Sequence, residues 1–114
     1  MAEATLYHGD PVMVDYTPAA DVAAGEVVVI GSSTFIAHRD IVADETGAVA
    51  AGGGVYNVEK GAVAIDGGVE LWWDDASNIV SLTDATATLQ RLGTSGPAGA
   101  VAGDATVVVI HHLA

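Results

Sequence analysis

The sequence predicts an all-β fold: a compact small domain, barrel-like or sandwich-like, with short strands, glycine-rich turns and at most one short helix. Its hydrophobic residues are mostly Ala and Val, with only one Phe, three Tyr and two Trp. Such small side chains suit thin, packed layers of strands. The 14 glycines recur in turn motifs at short intervals, which is typical of a sandwich or a barrel.

Three segments have strand patterns of different kinds. Residues 12–16 alternate apolar and polar side chains, which predicts a half-exposed strand. Residues 27–30 are continuously apolar, as expected of a strand covered on both faces. Residues 105–113 form a last apolar strand.

Two segments between strands have distinctive signals. Residues 18–24 fit one short helix, with Thr17 as its cap and Asp21 in the capping position, and they fit a loop equally well. The three glycines at residues 52–54 are interpreted as a flexible hairpin loop, because no phosphate-binding motif surrounds them.

Length and charge limit the possible roles. We expect a single β domain over residues 1–114, in which residues 1–10 are either an arm ordered by a partner or an ordinary edge strand. Fifteen acidic residues face three basic ones, so nucleic acid and anionic membranes are poor partners. The N-terminus lacks the basic and apolar regions of a signal peptide, which predicts synthesis without secretion through the signal-peptide route.

No group of residues forms a recognisable reactive site, and we expect no catalytic residue, no cofactor and no metal. Asp74 and Asp75 are interpreted as a turn after a strand. The four histidines are interpreted as solvated strand positions: His8, His38, His111 and His112. The remote alternative is a metal-dependent hydrolase that uses His111 or His112 with Asp74.

The adjacent tryptophans fall on opposite faces of one predicted strand. Trp73 alternates in phase with Leu71, so we expect it in the core. Trp72 is in phase with Glu70, so it is either an exposed interface anchor or the cover of a second small core.

Five collinear segments resemble a known family. Residues 14–25 (VDYTPAADVAAG) carry the most specific likeness, and four shorter segments follow in order: residues 39–41, 54–60, 73–75 and 103–107. Together they resemble the small capsid cement, or decoration, proteins of tailed phages.

This resemblance implies a homotrimer that is made in the host cytoplasm and binds the major capsid protein on the outer surface of the assembled head. We expect the last apolar strand, residues 105–113, to be buried within the subunit or within this trimer. It would sit at three-fold or quasi-three-fold positions and stabilise the head against the pressure of the packed DNA. As candidate contacts we select Thr5, Leu6 and Tyr7, with a contribution from Trp72. The alternatives are another virion component, such as a head-completion or tail protein, and a small β-clip binding module.

Overall fold

The computed structural model describes residues 4–84 and 89–111, which contain ten strands and no helix. No membrane-spanning helix is therefore found in this part of the chain. The strands are β1 (Ala4–His8), β2 (Val12–Tyr16), β3 (Val27–Ile30), β4 (Ser33–Ala37), β5 (Gly47–Gly52), β6 (Val55–Glu59), β7 (Glu70–Asp74), β8 (Ile79–Ser81), β9 (Gln90–Ser95) and β10 (Thr106–His111).

The strands form two antiparallel sheets. One has six strands in the order β1-β6-β10-β9-β7-β8, and the other has four in the order β2-β5-β4-β3. Each sheet keeps two edges, so the molecule is sandwich-like and not a closed barrel. The predicted all-β class is confirmed.

The main core lies between the sheets and contains small side chains around a few large ones. Trp73 and Tyr56 are its largest buried residues, and Ile36 contributes from the four-stranded sheet. The prediction that Trp73 lies in the core is confirmed. The last strand, β10, runs between β6 and β9 and buries Val107 and Val109, whereas Ile110 is exposed, so the expected burial is confirmed for one face only. Residues 112 and 113 lie outside the described residues.

A second apolar cluster lies on the other face of the four-stranded sheet. It consists of Val22, Ala37, Ile41 and Val49, with Tyr16, Val28 and Phe35 packed against it. Val27 and Val28 therefore face different cores, which explains their continuous apolar run. The expected double cover is wrong at the end of β3, where Ile30 is exposed.

The segment before β3 is a loop, so the helical alternative for residues 18–24 is wrong. The backbone N–H and carbonyl of Val22 each bond to Ile41 at 2.8 Å. The Asp21 carboxylate accepts a hydrogen bond from the Ala43 N–H at 2.8 Å. These polar groups bond to residues 41–43, and this leaves Val22 free to cover the second cluster.

The three glycines connect the two sheets, so their interpretation as a hairpin loop is wrong. β5 and β6 lie on either side of them, in different sheets. A Cβ at Gly54 would lie 2.8 Å from the buried ring of Tyr56, and Gly53 has a φ of 91°, so both positions favour glycine. The Gly53 N–H donates to the carbonyl of His111, and the His111 N–H donates to the carbonyl of Gly54.

A buried lysine fixes the loop before β10. The Lys60 ammonium donates to the carbonyl oxygens of Val101 and Asp104 at 3.0 Å, and to that of Ala102 at 3.4 Å. These charge-assisted bonds satisfy a cation that could not otherwise be buried. They hold an exposed Val101 at the tip of the loop.

The close approach of β9 and β10 gives a test of the packing. A Cβ at Gly93 would lie 2.0 Å from the backbone oxygen of Ile110, so Gly93→Ala forces the strands apart. We expect it to lower the free energy of unfolding by about 1–3 kcal/mol, measured by urea denaturation.

The matched control is Gly103→Ala, because a Cβ there meets no atom within 4 Å. It should leave the free energy of unfolding nearly unchanged. Equal effects of the two substitutions would contradict the described packing of β9 against β10.

Candidate functional site

Two edge strands carry the largest group of exposed apolar side chains in the described chain. β1 is an edge strand of the six-stranded sheet, and β2 is an edge strand of the four-stranded sheet. Residues 9–11 join them. The exposed side chains on these strands are Leu6, Tyr7, Val12, Met13 and Val14. An exposed apolar surface at a sheet edge is a common place for a protein partner to bind.

The two sheets separate at this side of the sandwich. Leu6 is opposite Tyr56, and Met13 is opposite Ala50, so both point to the inner faces of their sheets. Tyr56 and Ala50 are fully buried, whereas Leu6 is 41% exposed and Met13 is 42% exposed. The opposite sheet therefore covers neither of them.

Between the two strands lies a cleft of about 490 Å³, which we call the inter-sheet mouth. Its lining is apolar with an acidic part, and includes Leu6, Asp10, Pro11, Met13, His38, Arg39, Asp40 and Ile41. The expectation of a half-exposed strand at residues 12–16 is wrong, because β2 is open on both faces along most of its length.

The structure places the predicted contact residues at two separate sites. Thr5, Leu6 and Tyr7 lie in β1, which pairs with β6, so these described residues form an edge strand. Trp72 lies on β7, four strands away in the same sheet and therefore about 19 Å distant. It is half-buried.

Trp72 lies beside an ion pair on the sheet surface. Its strand partner is Arg91, and the Arg91 Nε lies 2.6 Å from the Glu70 carboxylate. Both charged side chains are about half exposed, so the pair adds little to stability. Trp72 therefore belongs to a polar surface, unlike the residues of β1.

A threonine connects the two sheets where they are closest. The Thr34 hydroxyl on β4 donates to the backbone carbonyl of Arg91 on β9 at 3.0 Å. The Nε2–H of His111 donates to the Thr34 carbonyl at 3.0 Å and lies 3.2 Å from the Thr34 hydroxyl oxygen. Because a carbonyl only accepts, Nε2 of His111 carries a proton.

A second histidine bonds to the core from the mouth. The His38 Nε2 and the Tyr56 hydroxyl are 2.7 Å apart. Burial raises the pKa of Tyr56 to about 12, and burial lowers the pKa of His38 from 6.5. At neutral pH the pair therefore consists of a neutral phenol and a neutral imidazole.

The expectation of solvated histidines is wrong for His111 and His38. His8 is exposed, but His111 is fully buried and His38 is partly buried, whereas His112 lies outside the described residues. Sequence pattern gave no indication of this, because the main partner of His111 is 77 residues away.

Asp74 has a structural role in the described chain. Its carboxylate accepts hydrogen bonds from the N–H groups of Ala76 and Ser77 at 3.1 and 3.2 Å, which confirms the predicted turn. His111 is two strands away in the sheet. Among residues 4–84 and 89–111, no group of three or more His, Asp or Glu side chains could hold a metal ion.

Comparison with known families gives one match. A family model described as phage cement protein matches residues 7–111. The chain belongs to the phage cement protein family. Its role is that of a capsid cement, or decoration, protein: a structural component of the virion that binds the capsid. Neither the curated proteins nor the solved structures gave a match.

The partial burial of His38 predicts how the stability of the cement protein depends on pH. Because its pKa is lowered on folding, the unfolded chain binds the proton more tightly. The contribution of the neutral His38 side chain to the free energy of unfolding is fully present above pH 6.5. It is lost as the pH falls through 6.5 towards the pKa of His38 in the folded protein. We expect His38→Gln to reduce the loss of unfolding free energy over this range, as measured by urea denaturation.

His8→Gln is the control, because His8 is exposed on the neighbouring β1. Its pH profile should follow that of the wild-type protein. If His38→Gln also followed the wild-type profile, the assignment of a depressed pKa to His38 would be wrong.

Proposed function

We propose that the protein binds the outer surface of the assembled head as a homotrimer, at three-fold or quasi-three-fold positions. There it would hold neighbouring major capsid subunits together against the pressure of the packed DNA. The observation that carries this proposal is the family match over residues 7–111. The sandwich with its exposed edge strands is a suitable scaffold for such binding.

Three-fold symmetry allows stable binding to the capsid even when the contact made by each subunit is small. A trimer on a three-fold axis presents three copies of one contact, and after the first engages, the others bind at high effective concentration. A protein that binds only the assembled lattice stabilises that lattice by mass action. This mechanism needs no reactive group, only a surface that fits the capsid.

The charge of the chain favours an external position. The formal net charge is −12 at pH 7, which opposes binding to released or packaged DNA. Like charge also limits association between free copies, so the trimer contacts must overcome that repulsion. Repulsion between charges separated by more than about 8 Å is screened at physiological salt.

Within this proposal β1 is the stronger of the two candidate contact sites. Tyr7 is 55% exposed and lies at the irregularity of the edge strand between Leu6 and His8, where its ring packs against that of His8. Trp72 is less accessible and is bordered by the ion pair of Glu70 with Arg91. We therefore assign the main capsid contact to β1 and a smaller one to Trp72.

Binding to undecorated heads tests the function itself. We expect purified protein to saturate heads at one trimer for each three-fold and quasi-three-fold site, counted by quantitative gel analysis of sedimented heads. Decorated heads should also release DNA at a higher temperature than bare heads. Absence of binding, or binding confined to the tail or the portal end, would overturn the cement proposal and favour another virion role.

Substitution of Tyr7 tests the contact assignment. If each Tyr7→Ser change removes about 1 kcal/mol, a trimer loses about 3 kcal/mol, which corresponds to roughly 100-fold weaker binding to heads. Trp72→Ala should weaken binding to heads less than Tyr7→Ser does. Val101→Ser is the control, because Val101 is exposed in the loop before β10, at the end of the sheet opposite to Tyr7.

All three variants should keep the wild-type unfolding midpoint to within a few degrees, since Tyr7 and Val101 are exposed and Trp72 is half-buried. Unchanged head binding by a folded Tyr7→Ser protein would remove Tyr7 from the contact. A folded Trp72→Ala protein that coats heads normally would likewise remove Trp72.

A further inference from the structure

We propose that the inter-sheet mouth binds one extended segment of the major capsid protein. The segment adds as a strand along the free edge of β2 and places an apolar side chain, flanked by basic residues, between the two sheets. This inference rests on the proposed function and adds to it the site and the chemistry of the partner segment. It concerns β2 and the mouth, whereas the contact proposed above concerns the exposed Tyr7 on β1.

The inter-sheet mouth resembles a hydrophobic core that is open to solvent on one side. Leu6 and Met13 point inward but remain exposed, although their neighbours Tyr56 and Ala50 are fully buried. A strand placed beside β2 would direct every second side chain to the same inner face as Met13. The cleft of about 490 Å³ is within the range of about 300–1,000 Å³ that binding sites occupy.

The edge of β2 is only weakly protected against pairing, since Asp15 is its one charged residue. β2 is hydrogen-bonded to β5 on one side and has no strand on the other within the described residues. Its sequence, VMVDY, contains no lysine and no proline, which commonly protect edges. By comparison, β8 is only three residues long, and the N–H of Ala4 on β1 already donates to the carbonyl of Gly25.

Charge determines what kind of segment fits. Asp10 and Asp40 line the mouth and Asp15 is exposed on β2, whereas Arg39 is the one basic residue in the lining. A lysine or arginine two residues from the inserted apolar side chain would point to the same face and neutralise these carboxylates. A second copy of this chain is a poor occupant, because it carries the same net charge of −12.

Site-specific crosslinking tests the inference directly, because the chain has no cysteine. Single-cysteine variants Met13→Cys and Leu6→Cys carry a benzophenone photo-crosslinker and are bound to undecorated heads. We expect both to crosslink one contiguous segment of the major capsid protein, identified by mass spectrometry. Val101→Cys is the control and should give no adduct to that segment.

A charge substitution provides an independent measurement. Met13→Glu adds a carboxylate to the acidic mouth and should weaken binding to heads by at least about tenfold for each subunit contact. Met13→Leu keeps an apolar side chain of similar size and should bind as the wild-type protein does. Thermal unfolding of both variants checks that they are folded.

The outcomes separate this inference from the function on which it rests. If wild-type protein fails to bind heads, both are overturned. If wild-type protein binds, but the Met13→Cys probe labels another copy of this chain or labels no protein, the mouth is not the capsid site and the cement function stands. Equal binding by folded Met13→Glu and Met13→Leu also overturns the inference.

Discussion

The contact of Thr34 with the opposite sheet sets the shape of the molecule. Packed sheets usually lie about 10 Å apart, yet here a threonine side chain on β4 reaches the backbone of β9 and the ring of His111 on β10. Such a close approach requires small residues around it, and the Ala- and Val-rich composition supplies them. The sheets are thus fixed near β4, β9 and β10 and are separated at β1 and β2.

The separation of the sheets connects the fold to capsid binding. Where the sheets meet, polar side chains are buried and paired, as in the bond of His111 to Thr34. Where they part, inward-facing apolar side chains such as Leu6 and Met13 remain exposed. A free protein with −12 net charge can keep this surface in water, because like charge limits random association. In the proposed complex, repeated contacts on a symmetric lattice would cover it.

The sequence predicted features that depend on neighbouring residues. The all-β class, the buried Trp73 and the turn at Asp74 follow from local alternation and from side chains that bond their own backbone. Features that depend on distant segments could not be predicted in this way. The partner of His111 is Thr34, the glycines at 52–54 join two sheets, and Val22 bonds to Ile41 in place of a helix. Alternation along residues 12–16 defines two faces, but it cannot show that the second sheet stops short of β2.

The proposed capsid-binding surface of this cement protein is the side of the sandwich where β1 and β2 lie. A cryo-EM reconstruction of decorated heads would show which side meets the shell. We expect trimeric density on the outside of the head at three-fold or quasi-three-fold positions, with β1 and β2 against the major capsid protein. Density that places β1 and β2 towards solvent, with the β7–β8 end against the shell, would contradict this proposal.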